Sequence, residues 1–259
     1  MTRLRHHPLA DAAGITVIRF VLMVVTLQVA AAAGVGGWDL GLVVNVVVAL
    51  FAAALMTRRR LWRSSGFTTA WRSRLAALAL LPLLLEAVSW TLHGGMVEQA
   101  PGYIPWATTL LLVGVNEELI SRGVILTRLR EAYRPVWAVL LTAGLFGLQH
   151  LSAFALTSRA ADDILLNVLL SGTYGFALAA FQLRFAWIWP LIFVHALADF
   201  SVILAGAQLP NLLIGISHLL LLAYGIFLLR GVTSVGSAGW IASGRVARKR
   251  SMISNSSSE

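Results

Sequence analysis

The sequence predicts an all-α, polytopic membrane protein with about eight transmembrane helices and both termini in the cytoplasm. Composition is the first observation. Of the 259 residues 58% are hydrophobic and 12% are charged, with a mean hydropathy of +0.81, whereas soluble domains have about 45–50% apolar and about 25% charged residues. The second observation is a series of apolar runs, each near the length that crosses a bilayer. The third is the distribution of arginine between those runs.

The apolar runs define one predicted transmembrane domain over residues 14–230. Each run is close to the ~20 residues that a membrane-spanning helix needs. We expect a short polar cytoplasmic segment at 1–13 before the domain and a disordered, Ser- and Gly-rich cytoplasmic tail at 231–259 after it. The runs are 14–34, 38–56, 75–93, 104–126, 135–157, 164–183, 185–206 and 209–230.

Basic residues between the runs fall almost entirely on one side of the predicted membrane. Seventeen Lys and Arg residues lie on that side, and only Arg159 lies on the other. Positively charged loops stay in the cytoplasm, so both termini should be cytoplasmic. The net charge of +9 therefore indicates membrane topology rather than nucleic-acid binding, and the lipid bilayer is the expected partner.

The start and the cysteine content of the chain limit the alternatives further. The first run, with the small residues Ala30–Ala33, also resembles a signal peptide, but we favour a retained helix. The Arg- and Trp-containing loop 57–74 is typical of a segment lying against anionic headgroups. The chain has no Cys, which excludes disulfides, Cys nucleophiles and zinc knuckles.

Glu117, Glu118 and Arg122 place three charges inside a predicted span. A charge at mid-bilayer costs on the order of 2.5–3.5 kcal/mol, so these side chains should face the protein interior and mark a functional site. Glu118 and Arg122 are four residues apart on one helix face and can neutralise each other. Glu117 is turned about 100° away, so it needs a partner from another segment or must hold a proton.

Other polar residues in the runs have simpler interpretations. We interpret Arg19 and Glu86 as a pair with each other or as charges near the lipid surface. Asn45, Asn116 and Asn167 are typical of hydrogen bonds between helices. His218 is expected to be a satisfied hydrogen-bond partner.

Glu117, His150 and His195 come from three different spans and lie at comparable predicted depths. Counting about 1.5 Å per residue from the cytoplasmic ends places them at roughly 14, 22 and 15 Å. A carboxylate can take a proton from water, and imidazoles can share that task, donate to an oxyanion or bind a metal. These three residues are therefore candidates for a hydrolytic site.

Three spaced motifs in these spans resemble those of the CAAX protease and bacteriocin-processing (CPBP, or Abi) family of intramembrane proteases, which includes the type II CAAX prenyl proteases. The likeness covers about residues 104–206. The motifs are Glu117-Glu118-x-x-x-Arg122, Phe146-x-x-x-His150 and His195-x-x-x-Asp199.

This resemblance implies an eight-helix endopeptidase, a hydrolase of the cell membrane, expected here in the bacterial plasma membrane. The residues matching Glu117 and His150 would activate water, and those matching His195 and Asp199 would stabilise the oxyanion. Glu118 and Arg122, with Phe146, would support the site. Asp199 stands where the CAAX proteases have Asn, and an ionised Asp cannot donate a hydrogen bond.

The substrates implied are membrane-associated peptides or proteins. They include CAAX-type proteins, precursors of bacteriocins or signalling peptides, and toxic peptides in bacteriocin self-immunity. Two alternatives from other classes remain open at the level of sequence. One is a proton- or ion-coupled transporter that uses the same side chains as a relay. The other is a non-catalytic immunity protein that binds a peptide.

The need for a metal is also open at this level. Glu117, His150 and His195 could form a zinc site with water in the fourth position, which would make the protein a metalloprotease. Alternatively, Glu117 is the general base and no cofactor is needed. We favour the second arrangement, because Glu117 as a ligand would leave no obvious base. The His-Glu-x-x-His motif of one class of zinc protease is absent from the sequence.

Overall fold

The computed structural model describes residues 7–232, which form α-helices and short helical turns without a β-strand in that range. The predicted all-α class is confirmed. The helices are α1 (Pro8–Ala32), α2 (Gly37–Arg58), α3 (Arg74–Ala79), α4 (Leu81–Ser89), α5 (Tyr103–Glu118), α6 (Leu126–Arg130), α7 (Pro135–Leu148), α8 (Ala153–Leu156), α9 (Ala161–Phe185), α10 (Ile188–Ile203) and α11 (Asn211–Leu229).

These elements group into eight segments, one for each predicted run. α3 and α4 stand end to end, α5 continues through a π-helical segment (Leu119–Ile125) into α6, and α7 continues through a 3₁₀ turn (Gln149–Ser152) into α8. Among the described residues, five helices are long and apolar enough to cross a membrane: Pro8–Ala32, Gly37–Arg58, Pro135–Leu156, Ala161–Phe185 and Asn211–Leu229. The polytopic membrane class is therefore confirmed.

Two predicted runs form shorter helices than expected. The run at 75–93 is split at Leu80 into α3 and α4, and Pro82 lies in the first turn of α4, where its missing N–H does least harm. The run at 185–206 yields only α10, because Ala186 adopts a left-handed conformation (φ 48°) that ends α9. Most of the predicted tail, from residue 233 onward, lies outside the described residues.

The loop between α2 and α3 is fixed to the turn between α9 and α10. Gly66 has φ 76°, and a Cβ there would lie 1.8 Å from the Ala186 carbonyl oxygen, so only glycine permits this contact. The Ser65 carbonyl accepts hydrogen bonds from Gln182 Nε2 (2.9 Å) and from the backbone N–H of Ile188 (3.2 Å). The loop thereby anchors the start of α10, the helix that carries His195.

The interior is built around α9 and α5. Ala177–Phe181 of α9 is fully buried, with α7 and α11 packed on this helix. α5 packs between α2 and α10. At Gly114 the approach to α10 is so close that a Cβ would lie 2.5 Å from the Ile192 carbonyl oxygen. Gly114 lies three residues before Glu117, and Ile192 lies three residues before His195. The close contact therefore sets the distance between Glu117 and His195.

Candidate active site

Glu117 forms a buried ion pair with a residue of the first helix. Its Oε1 accepts a hydrogen bond from Arg19 Nη2 at 2.8 Å, and both side chains are at most one-tenth exposed. The prediction that Glu117 needs a partner from another segment is met by α1. The expectation that Arg19 pairs with Glu86 or lies near lipid is wrong, because Arg19 points inward.

Glu118, the next residue, points about 100° away from Glu117 around the helix and binds Arg122 and His195. Its Oε1 lies 2.8 Å from Arg122 Nη1 and 2.7 Å from His195 Nδ1. The Glu118 and Arg122 side chains are completely buried. Arg122 also donates to the Gly175 carbonyl (3.1 Å) and lies 4.1 Å from the Phe146 ring centre. The expected pairing of Glu118 with Arg122 is present, and it extends to α10 through His195.

The hydrogen bond to Glu118 orients the His195 ring. An ionised carboxylate only accepts, so Nδ1 of His195 carries the proton and Nε2 faces the site. Nε2 lies 3.7 Å from Glu117 Oε2 and 3.6 Å from Asp199 Oδ2. Both separations exceed a direct hydrogen bond and leave the three polar atoms around a small common space.

His150 approaches from the 3₁₀ turn after α7. Its Nδ1 lies 3.0 Å from the Phe146 carbonyl, which can only accept, so this ring also presents Nε2 to its surroundings. Phe146 packs edge-on against both histidines, with ring centres 5.4 Å from His150 and 5.8 Å from His195. Within residues 7–232, no ion pair joins His150 to Glu117, so contact between them would pass through water or substrate.

The structure thus places every predicted site residue in one region, and it adds residues that the motifs did not reveal. Asn116 and Gln149, the neighbours of Glu117 and His150, both accept hydrogen bonds from Arg19. Tyr174 of α9 packs against the His195 ring at 5.8 Å between centres. Asn116 also donates to Asn45 (3.0 Å), the hydrogen bond between helices expected for these two residues, whereas Asn167 accepts from Ser171 within α9.

The proposed zinc ligands do not form a preassembled metal site. Among the residues described, no three His, Asp or Glu side chains converge closely enough to hold a metal ion. Glu117 Oε1 is already bonded to the Arg19 guanidinium, whose positive charge opposes binding of a cation at that carboxylate. The donor set therefore does not fit the zinc arrangement that the sequence left open.

Chemically, the cluster is a buried carboxylate beside an oriented imidazole, and Oε2 of that carboxylate accepts no direct hydrogen bond from the described residues. Arg19 engages Oε1 of Glu117 and leaves Oε2 toward His195. A water molecule between Oε2 and Nε2 could hydrogen-bond to both. In a low-dielectric interior such interactions are stronger than in bulk water. This arrangement suits removal of a proton from water.

One of three comparisons with known proteins found a match. Residues 99–201 match the family model described as type II CAAX prenyl endopeptidase Rce1-like, and this stretch contains all three motifs. No curated protein and no solved structure matches the chain. The match covers fewer than half of the 259 residues, and it supports the resemblance to CAAX proteases that the three motifs indicate within residues 99–201.

Proposed function

We propose that the protein is an intramembrane endopeptidase that uses Glu117 as general base to hydrolyse a peptide bond in a membrane-associated peptide or protein. The observation that carries this proposal is the free Oε2 of Glu117, 3.7 Å from His195 Nε2. The family match over residues 99–201 supports a CAAX-type protease in general.

In the first step, Glu117 Oε2 takes a proton from water while the oxygen attacks the peptide carbonyl carbon. General-base assistance of this kind contributes about 10²–10⁴-fold to rate. His150, which presents Nε2, shares in holding the water. The carbonyl π bond opens, and its electron pair forms the oxyanion of a tetrahedral intermediate.

In the second step, the oxyanion is stabilised and the amine leaves. His195 can donate to the oxyanion from Nε2 when the ring carries a second proton, and Asp199 at 3.6 Å would balance that charge. The proton held by Glu117 passes to the peptide nitrogen as the C–N bond breaks. The first products are a carboxylic acid and an amine, and Glu117 is ionised again once its proton has passed to nitrogen. The carboxylic acid then loses its proton to become a carboxylate.

Substrates that fit this site are segments already held at the membrane. The proposed cleavage lies near the cytoplasmic face, since Glu117 is predicted about 14 Å from that end of its span. CAAX-type processing, maturation of a bacteriocin or signalling-peptide precursor, and self-immunity against a toxic peptide all present such segments.

The experiment that tests the function compares peptide termini in membranes from cells expressing either the wild-type protein or Glu117→Gln. We expect new termini in membrane-associated proteins with the wild type, and their loss with Glu117→Gln at equal protein level. Glu98→Gln, a change at an exposed loop position, should leave them unchanged. The same termini at equal abundance with Glu117→Gln would overturn the proposal.

A further inference from the structure

Arg19 lies in the first helix, outside the segment that matches the family model. α1 presents Val17, Ile18 and Val21 outward, each at least half exposed, as expected for a lipid-facing surface. Arg19 is turned to the other side and is 4% exposed. A guanidinium in a membrane helix is costly unless it faces the interior and is paired, so its acceptors indicate what it is there to hold.

Arg19 binds Glu117 itself and the residues next to Glu117 and His150, the two groups proposed to activate water. Besides the 2.8 Å bond to Glu117 Oε1, Nη2 and Nε donate to Asn116 Oδ1 at 3.0 and 3.3 Å, and Nη1 donates to Gln149 Oε1 at 3.2 Å. Asn116 and Glu117 belong to α5, whereas Gln149 directly precedes His150. One guanidinium therefore bridges the helix of the base and the turn of the histidine.

We propose that α1 completes the active site and that Arg19 is a positioning residue that fixes the Glu117 carboxylate by Oε1 and leaves Oε2 free toward His195. This inference rests on the proposed role of Glu117 as base. Arg19 and Glu117 together are neutral, which offsets the cost of burying an ionised carboxylate. The planar guanidinium of Arg19 suits this task, since its N–H groups can hold several acceptors in fixed directions.

The kinetic test uses Arg19→Met and Arg19→Lys with a substrate identified from the membrane termini. Because a misplacement of about 1 Å can cost about 10²-fold in rate, we expect Arg19→Met to lower kcat by about that factor with little change in KM. Arg19→Lys, which keeps the charge but not the fork, should be intermediate. Rates are expressed per folded protein, so a loss of fold alone does not change them.

Asp11→Asn is the matched control on the same helix. Asp11 ties α1 to Arg59 through two 3.1 Å contacts and to Arg128 at 3.0 Å, away from Glu117. The variant removes these contacts of α1 but keeps every contact of Arg19, so it should lower the thermal midpoint while kcat per folded protein stays at the wild-type value. A wild-type kcat in Arg19→Met, or an effect confined to KM, would overturn the positioning role.

A second measurement does not depend on proteolysis. The thermal midpoints of Arg19→Met, Glu117→Gln and the double variant should be non-additive, since residues in direct contact couple. Additive shifts would overturn the contact between α1 and Glu117. Absence of any cleavage by the wild type would instead refute the proposed function, and the coupling would still decide whether α1 holds Glu117.

Discussion

At the scale of single residues, the site depends on two adjacent glutamates that serve different partners. Successive residues on a helix point about 100° apart, so Glu117 faces Arg19 while Glu118 faces Arg122 and His195. Oε2 of Glu117 faces His195 Nε2 at 3.7 Å, whereas the Glu118 side chain is completely buried and its Oε1 binds Arg122 and His195. This division separates a group that can react with water from a group that holds the framework.

Replacing Glu118 by Gln tests the framework role. The change leaves the buried Arg122 without its counter-charge, and breaking a buried ion pair costs about 3–5 kcal/mol. We expect a clearly lower thermal midpoint in detergent. The exposed control Glu98→Gln should melt like the wild type, and an unchanged midpoint for Glu118→Gln would show that the pair contributes nothing to stability.

The sequence predicted one of these pairs and not the other. Glu118 and Arg122 are four residues apart, so helical geometry alone brings them together. Arg19 and Glu117 are 98 residues apart, and their contact depends on how α1 packs against α5. Glu117 has no partner on its own helix, which indicated that it needs a partner from another segment or holds a proton. No local feature of the sequence identified Arg19 as that partner.

At the scale of helices, glycines at the points where two helices cross closely determine the positions of the site residues. A Cβ on Gly147 of α7 would lie 2.6 Å from the Val168 carbonyl and 3.1 Å from Gly172 Cα of α9. Gly147 is three residues before His150, so the distance between α7 and α9 determines where that ring lies. Gly144, one turn earlier, has open space around its Cβ position.

Gly147→Ala should therefore lower both the thermal midpoint, through poorer packing of α7 on α9, and kcat. Overpacking of this kind costs about 1–3 kcal/mol, and the displaced His150 should reduce kcat. The paired variant Gly144→Ala adds the same methyl group to the same helix and should leave both the thermal midpoint and kcat near wild type. Equal behaviour of the two variants would contradict the close-crossing account.

Apolar runs predicted the number of helical segments but not their interruptions. The π-helical segment Leu119–Ile125 follows directly after Glu118, and within it Gly123 lies so close to α2 that a Cβ would meet Met56 Sδ at 2.6 Å. Such local widening depends on tertiary packing and has no periodic signature in the sequence. The division at Leu80, by contrast, has a visible cause in Pro82.

At the scale of the whole molecule, exposed apolar side chains surround a buried polar cluster. Long helices such as α1 and α11 carry Leu, Ile and Val that are half or more exposed, as a lipid-facing surface requires, whereas Glu117, Glu118 and Arg122 are buried. The arginines between these helices predict the sidedness of the protein, with both termini expected in the cytoplasm.

Alkaline phosphatase fusions, which are active only outside the cytoplasm, test this sidedness. A fusion after Arg230 should be inactive, and a fusion after Val97, in the loop that carries Glu98, should be active. The excess of seventeen basic residues on one side is the physical reason. The opposite pattern of activities would invert the membrane orientation and move the proposed cleavage to the other face.

The account depends most on Glu117 acting as the base that activates water. The most direct measurement is kcat of purified wild-type, Glu117→Gln and Glu98→Gln proteins in liposomes with one identified substrate. We predict a loss of at least about 10²-fold for Glu117→Gln, with the protein folded and Glu98→Gln at the wild-type rate. Cleavage by folded Glu117→Gln at the wild-type rate would contradict the central claim.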